Sequence, residues 1–79
     1  MNQEEILKTL NRIFVEVFDD KDIVINTATT ASDIVAWDSL NHLHLINNIE
    51  KHFKIKIKAA EAQEFNNVGE ICEIILNKI

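Results

Sequence analysis

A chain of 79 residues with 47% hydrophobic content can build one small domain, residues 1–79, with a core that supplies about 3–5 kcal/mol. A formal net charge of −5 speaks against nonspecific nucleic-acid binding, which needs a basic footprint. One cysteine excludes an internal disulfide and a cysteine metal cluster, and the absence of proline with a single glycine speaks against a β-sandwich of many tight turns.

The first segment predicts a helix. Ile6, Leu10, Ile13 and Val17 lie on one stripe, widened by Leu7, Phe14 and Phe18. Asn2 and Glu5 have capping-box spacing, and Glu4 and Glu5 suit the positive end of the helix dipole. This N-terminus has no basic-then-apolar signal design, and no apolar run reaches transmembrane length, so a cytoplasmic location is expected.

Residues 19–37 lack a sustained period. The segment is long for a connection between helices, yet Ile23, Val24, Ile25, Ile34 and Val35 suit it to packing back onto the domain. At most one short helical turn is expected, near residues 29–34. Asp19, Asp20 and Asp22 resemble a calcium loop only superficially, because its glycine and terminal glutamate are missing at the right spacing.

A second long helix is expected over residues 39–52. Leu40, Leu43, Ile46, Ile49 and Phe53 read as its buried stripe, with Leu45 at the edge. Asn41, His44, Asn47, Asn48 and Lys51 read as its outer face. "FKIKIK", residues 53–58, alternates like a strand but has no evident partner strand, so it reads as an extended connector that tucks in Ile55 and Ile57. "AAEAQEF" suits a short helix. A last helix starts at Asn67, whose spacing to Glu70 again suits a cap. Val68, Ile71, Ile75 and Ile79 form its stripe, Cys72 and Ile74 flank it, and Gly69 falls in its first turn, where glycine costs least. The expected fold is a small all-α four-helix bundle, three longer helices and one short, with a long ordered loop between the first two.

The chemistry concentrates at "WDSL", residues 37–40. Asp38 or Ser39 is placed to cap the second helix, whose first turn has free N–H groups and a partial positive charge. A phosphate on a serine there would be favoured by about 0.3–1 kcal/mol from the dipole. No neighbouring His and acid make a believable triad, so Ser39 reads as an acceptor whose base comes from another protein.

"WDSLNHLHLINNIEKHFKIKI" resembles the phosphopantetheine-attachment region of the acyl carrier protein family. The core of the resemblance is Asp38-Ser39-Leu40 opening a helix. Glu50, Phe53, Ile55 and Ile57 follow as in the family, and Val68, Gly69, Glu70 and Ile71 match its start to the last helix. The match spans essentially the whole chain. It implies that Ser39 carries covalent 4'-phosphopantetheine from coenzyme A and that acyl groups ride on the arm as thioesters. It implies that Asp38 and Leu40 serve transferase recognition, and that Leu43, Ile46, Phe53, Ile57, Ile71 and Ile75 line an acyl-chain space. The partners it implies are a phosphopantetheinyl transferase, an acyl-loading ligase or transferase and downstream biosynthetic enzymes. The carrier is expected to be a monomer with no catalytic residues, no metal, no nucleic acid and no membrane insertion.

Three departures from the family pattern point to a specialised rather than housekeeping carrier. Ala36 stands where the family often has Gly, followed by Trp37, with His42 beyond the motif. The second helix is poorly acidic. Lys51, Lys54, Lys56 and Lys58, four of the eight basic residues, follow where acids are usual. Trp37, Asn41, His44, Asn48 and Lys51 are the candidate docking residues, although Trp37 reads better as a cover for the core. His42, His44 and His52 read as solvated or interface side chains, and Cys72 as a residue at the edge of the core. The lysine run suits a solvated face as well as a docking patch. The rival class is a non-covalent helical adaptor in which Ser39 is only a cap. A helix-turn-helix DNA binder has too few cations on its reading helix, and an enzyme reading finds no acid-base pair.

Overall fold

The computed structural model describes residues 2–34 and 37–79; Val35, expected to pack with the loop, and Ala36 lie outside the described residues. The order is α1 (Gln3–Phe18), a 3₁₀ turn (Ala31–Asp33), α2 (Ser39–Phe53), α3 (Ala59–Gln63) and α4 (Val68–Lys78), with no strand among the described residues. α1 packs against both α2 and α4.

Asparagines start α1 and α4: Asn2 Oδ1 accepts the Glu5 N–H at 2.9 Å, and Asn67 Oδ1 accepts the Glu70 N–H at 2.9 Å. The ends of α1 and α2 carry non-glycine residues in the left-handed region, Asp19 at φ 51° and Lys54 at φ 56°. Each is followed by an N–H reaching five residues back, Asp20 to the Val15 carbonyl and Ile55 to the Glu50 carbonyl.

The core gathers Ile6, Leu10, Ile13, Phe14 and Phe18 of α1, Leu45, Ile46 and Ile49 of α2, and Val68, Ile71, Cys72 and Ile75 of α4. Ile23, Ile25, Trp37 and Ile57 close it from the connections. Val17, expected in the α1 stripe, is only partly buried beside it. Cys72 is wholly buried, within the core rather than at its edge. Ile79 is 52% exposed, so the α4 stripe ends at Ile75.

The stripe of α2 needs correcting. Leu40 and Leu43 are 65% and 61% exposed, while Leu45 is wholly buried. The inward positions are 42, 45, 46 and 49, so His42 rather than Leu43 faces the body of the protein.

The long loop is anchored from two sides. Asn11 on α1 presents a side-chain amide that acts as a strand edge would: its Nδ2 donates to the Ile23 carbonyl at 3.2 Å and its Oδ1 accepts from the Ile25 N–H at 2.8 Å. Ile23 and Ile25 are thereby turned inward, while Val24 between them is 85% exposed. At the other side, the N-terminal N–H groups of α4 donate into the loop, Val68 to Thr29 O and Gly69 to Thr27 O, both at 2.9 Å. The loop can come this close because residue 69 has no Cβ; one would stand 2.9 Å from Thr27 O.

The connector expected over residues 53–58 is shorter, residues 55–58, because Phe53 still belongs to α2 and Lys54 ends that helix in the left-handed region. Ile57 is buried and Ile55 half-buried. The Glu50 carboxylate accepts the Ile57 N–H at 2.9 Å, supplying the partner that a neighbouring strand would have given.

Candidate functional site

Asp38 is the N-cap of α2. Its backbone is extended, and its Oδ1 accepts the Asn41 N–H at 2.8 Å. Of the two candidates for that role, Asp38 or Ser39, the structure uses Asp38. Ser39 therefore begins the helix with an exposed side chain, and among the described residues nothing hydrogen-bonds its hydroxyl. The Ser39 and Leu40 N–H groups also lack a protein acceptor among the described residues. A free hydroxyl thus sits beside unfilled donors at the positive end of a 15-residue helix, which suits an attached phosphodiester.

The neighbourhood of Ser39 is organised by a relay that the sequence reading missed. The Trp37 indole N–H donates to His42 Nδ1 at 2.9 Å. That bond requires Nδ1 to be an acceptor, so the neutral ring carries its proton on Nε2, which donates to the Ala62 carbonyl at 2.9 Å. The indole also packs edge-on to Phe14 with ring centroids 5.2 Å apart, and beside Phe18 at 6.2 Å. Phe65 meets the His42 ring edge-on at 6.1 Å. One chain of contacts therefore runs from α1 through the end of the loop and α2 to α3.

This bears out Trp37 as a cover for the core and corrects the expectation for His42. Trp37 is 8% exposed and covers the core, leaving little surface for docking. His42 is engaged at both ring nitrogens rather than solvated. Two aromatic neighbours and a donor five residues earlier are signals a sequence carries only faintly.

A surface groove of about 530 Å³ lies against Ser39, lined by Ala31, Trp37, Asp38, His42, Leu43, Gln63 and Phe65. Leu43, expected in an acyl-chain space between helices, lines this groove instead. Ile46, Ile57, Ile71 and Ile75 lie in the core, with Phe53 packed against it. Leu40 projects into solvent beside Ser39. Of the candidate docking residues on α2, His44, Asn48 and Lys51 are exposed and Asn41 is half-buried.

Two titrating groups are displaced from their usual ranges. Burial pushes the Cys72 thiol up, and the Glu73 charge adds to this, as suits an inert core residue. The Glu61 carboxylate is held down, first by the Lys58 N–H at 3.0 Å and then by the Lys78 ammonium at 3.2 Å. Among the described residues no group of three or more His, Cys, Asp or Glu could hold a metal, and no helix is long and apolar enough to cross a membrane.

Known proteins of similar sequence and shape bear on this site. The family model for the phosphopantetheine attachment site matches residues 8–75. An acyl carrier protein of Thermosynechococcus vestitus is 34% identical over 80 residues, covering 100% of this chain and 98% of that protein. One from Cyanidium caldarium is 35% identical, covering 100% of this chain and 92% of its own length. The solution structure of a holo acyl carrier protein from Geobacter metallireducens superposes with a TM-score of 0.85 at 46% identity, covering 91% of this chain and 83% of that one.

Proposed function

Because the chain belongs to the acyl carrier protein family, whose members carry and do not catalyse, we propose that Ser39 is the residue that accepts 4'-phosphopantetheine. The carrying observation is that Asp38, not Ser39, caps α2, which leaves the serine hydroxyl free and exposed at the helix start. The adaptor alternative gave Ser39 the cap as its only task, and that task belongs to its neighbour.

In the reaction, the Ser39 oxygen attacks the coenzyme A phosphorus that bears the pantetheine. A new O–P bond forms, the P–O bond to adenosine 3',5'-bisphosphate breaks, and the transferase supplies the base that takes the hydroxyl proton. The Ser39 and Leu40 N–H groups face the resulting negative charge, and Asp38 keeps the helix start in register. Once attached, the arm supplies a thiol that holds acyl groups as thioesters. Leu40 offers the transferase an apolar contact; His44, Asn48 and Lys51 offer polar ones along the same helix. The acyl chain has the groove along Trp37, His42, Leu43 and Phe65 as its entry, with Ile46, Phe53, Ile57, Ile71 and Ile75 behind it. We assign the carrier to a specialised cytoplasmic pathway; the Trp37–His42 pair and the scarcity of acids on α2 support that assignment.

Incubation with coenzyme A and a broad-specificity phosphopantetheinyl transferase should add the mass of one phosphopantetheine. Ser39→Ala should abolish the gain with its helical circular dichroism unchanged. A wild-type chain left unmodified by several transferases, or modification that survives in Ser39→Ala, would sink the proposal.

A further inference from the structure

We infer that Lys54, Lys56 and Lys58, with Lys51 at their head, form a cationic strip that docks an acidic patch on the enzymes serving Ser39; this rests on the attachment reading above. Lys56 and Lys58 flank the buried Ile57, Lys54 ends α2 in the left-handed region just before them, and all three lysines are exposed. The strip is held in place rather than loose, because the Glu50 side chain and carbonyl accept the Ile57 and Ile55 N–H groups. Those bonds also engage the one acid in residues 39–60. Among the described residues, none of the four lysines has a carboxylate within ion-pair distance, and only the Lys58 charge acts on a nearby acid, Glu61.

The charge is segregated. Residues 39–60 hold four lysines against one glutamate, whereas the whole chain carries −5, so the rest of the molecule holds eight negative charges in excess. The strip continues the outer face of α2, where Leu40, Leu43, His44, Asn47, Asn48 and Lys51 are all exposed. That face is apolar beside Ser39, neutral in the middle and cationic at the far end, about 16 Å from Leu40 to Lys51 at 1.5 Å per residue. An enzyme engaging Ser39 along α2 therefore meets the lysines second. A compact acidic patch on a protein can match such a strip. An extended polyanion, whether membrane or nucleic acid, would also face the surrounding negative surface.

The test uses the full chain, its Lys54→Glu/Lys56→Glu/Lys58→Glu variant, and a phosphopantetheinyl transferase whose carrier-docking face is basic. A second form of that transferase has those basic residues changed to glutamate. At low salt the wild-type carrier should be modified with kcat/KM about tenfold higher by the acidic form. The triple variant should reverse the preference, and added salt should shrink both differences. An enzyme preference equal for the two carriers within about twofold would overturn the inference while Ser39 modification itself, and so the attachment reading, still stood. Saturable binding of the wild type to phosphatidylglycerol vesicles or to a DNA duplex, lost in the triple variant, would overturn the assignment to a protein patch. Failure of Ser39 to be modified by either enzyme form would take both readings down together.

Discussion

Replacing His42 with phenylalanine isolates the relay beside Ser39. The substitution keeps an aromatic ring between Trp37 and Phe65 but removes the acceptor for the indole N–H and the donor to the Ala62 carbonyl. Trp37 is buried, so its stranded N–H should cost about 1–3 kcal/mol. The Ala62 carbonyl lies near the surface, and its bond is worth about 0.5–1.5 kcal/mol because water can replace the partner. The sum, about 1.5–4.5 kcal/mol, is comparable to what a core this small supplies. α3 has five residues and no stability of its own, so it should loosen first. Urea unfolding followed by circular dichroism at neutral pH reads the loss, and dichroism also serves variants that lack the tryptophan. In a Trp37→Phe background no indole N–H remains to be stranded, so His42→Phe should cost about 1–3 kcal/mol less than in the wild type. A cost below about 0.5 kcal/mol, or one equal in the two backgrounds, would refute the relay as a source of stability.

Gly69→Ala pits helix propensity against contact. Propensity alone would favour alanine by up to about 1 kcal/mol. A Cβ 2.9 Å from Thr27 O must push the loop away, so a net destabilisation of about 1–3 kcal/mol is expected in urea. Asn11→Ala strands the Ile25 N–H and the Ile23 carbonyl together; about 1–3 kcal/mol should be lost, with amide exchange rising first in residues 23–25. Glu61 has its carboxyl held low in the folded chain, so its contribution is present above its unfolded value and fades as pH falls through the folded one. Protection of the Lys58 amide, its exchange compared with an unfolded chain at the same pH, should fall below the ordinary carboxylate range, and Glu61→Gln should remove that change in protection.

The helices were legible because their signals are local. Asn2 and Asn67 stand three residues before glutamates, and the apolar stripes of α1 and α4 repeat at helical spacing. The exposed face of α2 departs from the sequence pattern because Leu40 and Leu43 are as apolar as core residues; composition cannot separate an exposed leucine from a buried one. His42 points inward only because its bonding partners, Trp37 and the carbonyl twenty residues on, stand ready for both ring nitrogens. Asn11 and Glu50 bind backbone of segments that carry no period, so nothing near either residue marks its task. The Asp38-Ser39-Leu40 motif was legible in the sequence, while the assignment of the cap to Asp38 needed the geometry.

The two bonds from Val68 and Gly69 to the loop join residues about forty positions apart. A contact of that span closes late in folding, after the local helices have formed. The segment leading into Ser39 therefore takes its final course only when the start of α4 is in place beneath it. A chain cut before Asn67 would keep its serine and its α2 cap yet leave the Thr27 and Thr29 carbonyls without their donors. The proposed acceptor, Ser39, is local in sequence, but its presentation depends on the far end of the chain.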